Sequence, residues 1–340
     1  MNLSYAKLLI TALCLLLHIG SVTAGMAPAR LYYNDGSHDD VLAISYSAGT
    51  MTYKKSEKSL NLQRVQKPKL EAVYFYEPKA YKEAMGHYHS RNYAEAKEIF
   101  AKLETEYKTV DTLPDNYSTL SGFYKMECSR RMNDLEALSA ELEKFHKKGL
   151  SRETHLQQLE VYSFWEAVRL GDWDRLDRLA VEWQPRSLAA GMRVQIEYCH
   201  ARALDNLCQK DPSRKSQAIN AYNRVLTADG TTSMELVLAA ALGALNLYSN
   251  DDGVKLAMRV WGTDDENRRS AGYERLLEAN TLVKFYKQSG FDDLQPLAKE
   301  HEKFLEFNPP KADGGGEPAA ESAEEEQPAA EEADQEAPAE

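Results

Sequence analysis

The sequence predicts a mainly α-helical protein: an α-solenoid of about six helical hairpins, with a period near 40 residues, preceded by a small all-β unit. Three observations carry this. Apolar residues recur at helical spacing on both sides of short polar turns from Tyr81 to Ala298. Residues 31–76 alternate with period two instead. The turns themselves recur at nearly even intervals, so each hairpin has a neighbour against which to bury the apolar face it cannot bury alone.

The chain starts with the features of an export signal. Lys7 supplies a single positive charge, Leu8–Leu17 is an apolar run, and Val22-Thr23-Ala24 is a small-residue cleavage site. The expectation is a signal peptide over 1–24, cleaved after Ala24, and a periplasmic or extracellular, envelope-associated product. Leu13 is too bulky for Cys14 to be a lipid-bearing cysteine. No later segment holds about eighteen consecutive apolar residues, so no transmembrane helix is expected.

Residues 25–76 are assigned to the β unit. Leu42, Ile44 and Tyr46 alternate with Ala43 and Ser45, Met51 and Tyr53 with Thr50, Thr52 and Lys54, and Leu60 and Leu62 with polar neighbours. Val73 and Phe75 follow Leu70. Turn residues at Asn34-Asp35-Gly36, Ala48-Gly49, Ser56-Glu57-Lys58 and Lys67-Pro68-Lys69 separate four or five short strands. So short a sheet is marginal alone and is expected to pack on the first hairpin.

Glu77-Pro78 marks the junction, because proline suits the first turn of a helix. The helical part spans 77–308. Its first hairpin has Tyr81, Ala84 and Tyr88 before Ser90-Arg91-Asn92, then Tyr93, Ala96, Phe100 and Leu103. The second turns at Met132-Asn133-Asp134, the third at Gly171-Asp172, the fourth around Asp211-Pro212-Ser213, the fifth at Ser249–Gly253. The sixth turns at Ser289-Gly290 and continues through Phe291, Leu294, Leu297 and Ala298 as a second helix.

Residues 309–340 form an acidic Ala/Glu/Pro-rich tail, expected to be disordered because it has no large apolar residue to bury. From Lys311 onward it holds eleven acidic residues and one lysine, whereas the whole chain carries −12, so the acidity belongs to the tail. The near-neutral remainder has no basic bias toward nucleic acid. Cys128, Cys199 and Cys208 are too few for a disulfide framework and are read as small buried hydrophobes.

At Tyr88–Phe100 the chain resembles the tetratricopeptide repeat: a small residue (Ala84) in the first helix, the Arg91-Asn92 turn, then Tyr93, Ala96 and Phe100 at the family's spacing. The third hairpin matches at Gly171, Asp172 and Trp173 but has Leu176 where the family has alanine. Ala80, Ala84 and Lys108 replace the aromatic, glycine and proline of the family pattern, and the period exceeds the family's usual one. The resemblance implies a superhelix whose concave face binds peptide or protein segments. The β unit is loosely similar to an SH3- or Sm-type barrel.

The chain carries no nucleophile elbow, P-loop, dinucleotide fingerprint, His-Glu-x-x-His or Cys-x-x-Cys, and is read as non-catalytic, with no cofactor or metal. His87 and His89 lie two apart on a helix and cannot share one ion. His38-Asp39-Asp40 is placed in a solvated turn. Cys199 and His200 are adjacent on a helix and point about 100° apart, too far for a thiol and its base. Arg130-Arg131 and Arg268-Arg269 are read as solvated helix ends or turns, and Asn116-Tyr117-Ser118 fits a glycosylation acceptor. The candidate partner-binding residues are Tyr74, Tyr76, Tyr81, Tyr88 and Tyr93 at the junction, with Trp165 and Trp173 in the third hairpin. The expected function is a scaffold for a protein partner of the cell envelope; the alternative is an envelope glycan or polymer binder using the β unit and the aromatic cluster.

Overall fold

A computed structural model of the chain describes residues 25–228 and 233–307. The expected signal peptide with Cys14, the tail from 309 and its Gly314–Gly316 run lie outside the described residues. The described chain is mainly helical, with a five-stranded antiparallel sheet at its start.

The strands are β1 (Ala27–Tyr33), β2 (His38–Ser47), β3 (Thr50–Lys54), β4 (Gln63–Gln66) and β5 (Leu70–Phe75). Their spatial order is β4-β3-β2-β1-β5. Three hairpins make the meander, and a 3-10 turn at Lys67–Lys69 returns the chain to the free side of β1. Ala29, Leu31, Val41, Ala43, Met51, Tyr53, Val65 and Phe75 fill the inner side.

Two strand expectations are corrected. In β2 it is Val41 and Ala43 that face inward, not Leu42 and Ile44. The segment is apolar on both sides, so alternation there does not select a phase, and an irregularity between Ala43 and Ser45 shifts the register. Leu60 and Leu62 form no strand; Leu60 is 93% exposed. β3 has only five residues, and its register, with Met51 opposite Val65 and Tyr53 opposite Gln63, leaves earlier residues no partner. The tripeptide His38-Asp39-Asp40 opens β2 rather than a solvated turn, because its backbone pairs with β1 at Leu31 and Tyr32.

The helices are α1 (Lys79–His89), α2 (Tyr93–Glu106), α3 (Tyr117–Arg131), α4 (Leu135–Lys144), α5 (Glu153–Leu170), α6 (Trp173–Trp183), α7 (Ala190–Cys208), α8 (Lys215–Thr227), α9 (Met234–Ser249), α10 (Asp252–Val260), α11 (Ala271–Gln288) and the short α12 (Lys299–Glu302). Each from α1 to α10 packs on the next, and α1 also meets α3, α5 meets α7, α7 meets α9 and α9 meets α11. α9 is apolar nearly all round and lies against α7, α8, α10, α11 and α12.

The first three hairpin turns are the same structure. Arg91, Asn133 and Gly171 adopt left-handed backbone (φ 64°, 57° and 66°). The amide that follows the left-handed residue then bonds back to the last turn: Asn92 to His87, Asp134 to Ser129, Asp172 to Ala167. The carbonyls that a helix end leaves open are thereby satisfied. Asp134 and Asp172 then cap the next helix through the amides of Ala137 and Arg175.

After α11 the expected second helix at 291–298 is absent. Phe291–Asp293 makes one 3-10 turn, and Leu294 is half exposed. Pro296 explains the stop: it lacks an amide and disfavours helix in the residue before it.

The sheet docks at the end of the first hairpin. Thr109 Oγ1 donates to the Ile44 carbonyl (2.6 Å) and the Gly25 amide to the Glu106 carbonyl (2.9 Å), around buried Tyr107 and Val110. Cys128, Cys199 and Cys208 are free and buried, as small hydrophobes should be.

Candidate functional site

The residues with the most specific geometry are ones that sequence reasoning placed in solvent. α3 ends Glu127-Cys128-Ser129-Arg130-Arg131, and both Glu127 and Arg130 are buried. Arg130 donates from Nε to Glu127 Oε1 (3.0 Å) and from Nη2 to Oε2 (2.8 Å). Tyr162 of α5 donates to the same carboxylate at 2.6 Å, and Tyr88 of α1 lies 3.4 Å from Oε2. Burial alone would raise the Glu127 pKa; the Arg130 cation and these donors outweigh it and hold the carboxyl at about 2. Such a carboxylate stays ionised near neutrality and is poorly matched to general acid–base work.

Arg131 extends the network. Its Nε donates to the Tyr88 hydroxyl (2.9 Å) and its Nη1 to Glu235 Oε1 (3.0 Å) in the first turn of α9. Tyr93 of α2 donates to the same Glu235 oxygen. Burial pushes the Tyr93 phenol up to about 12, with the Glu235 bond adding to it. The consequence is architectural: α1, α2, α3 and α5 are tied to α9, 104 residues along the chain from Arg131. The helical body therefore folds back far enough for α2 and α3 to touch the start of α9.

The expectation that Arg130-Arg131 is a solvated helix end is thus overturned. A charged residue within Phe123–Cys128, followed by arginines three and four positions on, was the available signal: an i,i+3/i,i+4 ion pair placed on a buried face. Gln158 and Gln195, also unanticipated, exchange paired amide bonds (2.9 Å each) between α5 and α7, and Trp165 Nε1 donates to Gln195 (3.0 Å).

The predicted aromatic residues separate into four environments. Tyr81 is in the core, edge-on to Phe100 (5.6 Å) and Tyr117 (4.7 Å). Tyr88 and Tyr93 belong to the Arg131–Glu235 network, with the guanidinium 5.3 and 5.7 Å from their rings. Trp165 is 2% exposed, whereas Trp173 is half-buried against the hairpin turn at Gly171. Tyr74 and Tyr76 alone of the seven sit on the sheet, in T-shaped contact at 5.5 Å, with Tyr74 56% exposed. There Arg30 donates to Asp40 from Nε (2.8 Å) and Nη2 (3.0 Å), and Tyr76 donates to Asp40 at 2.7 Å.

One other expectation changes and one holds. Asn116 is fully buried: its Oδ1 caps α3 at the Thr119 amide, and its Nδ2 donates to the Asp111 and Leu113 carbonyls, which removes it as a glycan acceptor. His200 pairs with Asp177 (2.9 Å), which Arg214 also holds (2.9 Å), in an open polar groove of about 570 Å³. Cys199 is fully buried and Ser213, in that groove, donates to Asp211, so neither is paired with the imidazole. Among the described residues no group of three or more His, Cys, Asp or Glu is arranged to hold a metal ion, and no helix is long and apolar enough to cross a membrane.

A second groove, of about 500 Å³, runs across α8, α9 and α11. Leu226, Leu277, Leu282 and Phe285 make its apolar surface, with Asn223, Thr227, Thr281 and Glu278 at its polar positions. Phe285 is 42% exposed, and the Tyr248 hydroxyl is tied to Glu278 (2.8 Å).

Compared with protein-family models, curated proteins and solved structures, the chain matches none.

Proposed function

We propose that this chain is a non-catalytic scaffold of the cell envelope, an exported tetratricopeptide-repeat-like α-solenoid that holds a segment of a partner protein in a groove of its helical array. The solenoid reading is supported by the identical turns at Arg91, Asn133 and Gly171 and by the packing of alternate helices on one another. The return of β5 to β1 through one 3-10 turn supports a small, partly open barrel of SH3-like type for the β unit.

The observation that carries the binding reading is the α8–α9–α11 groove. Its half-exposed Phe285 beside Leu277 and Leu282, with polar groups around them, has the makeup of a site that accepts an apolar anchor from another chain. The internal charges fit the same reading, because Glu127, Arg130, Arg131 and Glu235 satisfy one another inside the fold. The test is affinity capture of the exported protein from its own envelope, comparing it with Phe285→Ser/Leu277→Ser. A specific protein retained by the parent and lost from the variant at unchanged melting temperature supports the proposal. Equal recovery by both removes the groove from it.

The exposed sheet face favours a second reading, envelope glycan binding, because Tyr32 and Tyr74 stand in solvent beside Arg30 and Asp40. Loss of polysaccharide retention in Tyr74→Ala, with folding intact, would select it over the protein partner.

A further inference from the structure

The loop between α4 and α5, Lys144–Arg152, concentrates positive charge without pairing it. It reads Lys-Phe-His-Lys-Lys-Gly-Leu-Ser-Arg, with Glu143 and Glu153 only at its flanks. Lys144, Lys147, Lys148 and Arg152 are all exposed. None of the four side chains makes a hydrogen bond or ion pair with another described residue. The part-buried cations Lys97, Lys125 and Arg169 are paired with Glu141, Glu104 and Glu166, whereas exposed cations such as Lys67, Lys69 and Lys82 are unpaired like these four.

The loop is also held in one shape. The Asp115 amide donates to the Gly149 carbonyl (2.9 Å), the Leu150 amide to Lys147 (3.0 Å), and Ser151 Oγ to Asp115. Gly149 is buried so tightly that a Cβ there would collide with Asn116, Thr119 and the Asp111 carbonyl. Lys147 and Lys148 are therefore presented by a braced turn, which lowers the ordering entropy a ligand must overcome.

The opposite charge is on the same chain. Residues 311–340 carry eleven carboxylates and one lysine. The described chain ends at Phe307, whose ring lies 5.4 Å from Trp261, itself stacked on Tyr273 at the start of α11. The basic loop leads into the start of α5 and abuts Asn116 and Thr119 at the start of α3. Arg131 at the end of α3 meets Glu235 at the start of α9, so early and late helices of the body lie together. Glu325 lies eighteen positions beyond Phe307. Such a length has a root-mean-square span of roughly 25 Å as a flexible chain and reaches about 60 Å when extended.

We propose that the Lys144–Arg152 loop is the docking site of the chain's own acidic tail, centred on Glu324–Glu326 and Glu331-Glu332. Tethering raises the effective concentration of the tail into the millimolar range, so individually weak pairs suffice. The contact stands apart from the groove and can fail without affecting the scaffold reading.

The test places a nitroxide on Ser322→Cys of the full chain, with Cys14→Ser, the remaining three cysteines being buried. Paramagnetic broadening of the backbone amides is then read at low salt. The expected result is selective broadening at Lys147, Lys148 and Arg152, falling roughly five-fold in 1 M salt, where the screening length shrinks to about 3 Å. The same loss is expected in Lys147→Ser/Lys148→Ser/Arg152→Ser, whose amides remain observable. Uniform broadening, or undiminished broadening in that variant, overturns the proposal. Broadening found only between labelled and unlabelled chains assigns the loop to a second copy and also overturns it. A loop untouched by the label but perturbed by phosphatidylglycerol vesicles belongs to an anionic lipid surface, and that result overturns tail docking too.

Discussion

The inner network and the outer face of the sheet contain the same chemical unit in opposite surroundings. Inside, Glu127 takes two bonds from Arg130 and one from Tyr162. Outside, Asp40 takes two from Arg30 and one from Tyr76, at distances within a few tenths of an ångström of the inner set. Both carboxyls are held at about 2: Asp40 by the Arg30 and Tyr76 bonds directly, Glu127 against its own burial. Equal pKa values here do not mean equal roles. Water screens and replaces the outer bonds, whereas removing one inner partner strands a charge in a low-dielectric interior. The inner unit is a brace of the fold, and the outer one leaves its aromatic neighbours available for contact.

The sharpest way to break this comparison is Glu127→Gln. It strands Arg130, and the expected loss is about 3–5 kcal/mol of unfolding free energy, read by urea titration. The matching outer change, Asp40→Asn, belongs at the other end of the scale.

Acid titration is next. Glu127 has a folded pKa of about 2 against an ordinary 4.5, so the unfolded chain binds the proton first. Its contribution is complete above pH 4.5 and is lost as pH falls toward 2, amounting to roughly 3 kcal/mol. An earlier, shallower loss below pH 6.5 is expected from His155 and His301, whose pKa values burial lowers. Stability measured against pH should therefore fall in two stages, and Glu127→Gln should diminish only the second, to which Asp40, Asp177 and Glu235 also contribute.

Glu235→Gln keeps the shape of the link to Arg131 and Tyr93 while removing its charge. The expected cost is about 1–2 kcal/mol, with a measurable rise in the radius of gyration as α2 and α3 part from α9. An unchanged radius would show that apolar packing alone sets the curvature.

Gly171→Ala tests the shared turn. Its left-handed backbone should make the substitution cost about 1 kcal/mol, and Arg91→Gly at the equivalent position should stabilise by a similar or smaller amount. Asp40→Asn is expected to leave the melting temperature unchanged; a clear drop would mean that the outer unit also braces the fold.

Much of the helical body was legible because its signals are local. The turns at Arg91, Asn133 and Gly171, the caps Asp134 and Asp172, and helical spacing such as Tyr93, Ala96, Phe100 and Leu103 all act within a few residues. The β unit was legible in kind but not in phase. In Val41-Leu42-Ala43-Ile44 both faces are apolar, and only pairing with β1 and β3 decides which enters the core. The sixth hairpin failed for another reason: apolar spacing at Phe291, Leu294 and Leu297 looked helical, while Pro296 withheld the amide the helix needs.

The candidate site was the least legible part. Tyr74, Tyr76, Tyr81, Tyr88 and Tyr93 are close in sequence, yet they divide between the outer sheet face, the core and the inner network. Sequence alone determined the helical content, the leading β unit, the positions of most turns, the burial of Cys128, Cys199 and Cys208, and the concentration of acidity in the last thirty residues. Only the tertiary structure decided that Arg131 would meet Glu235 and that Arg130 would be buried. The reason is that a charge's surroundings depend on chain brought from a hundred residues away, and no local period records that approach.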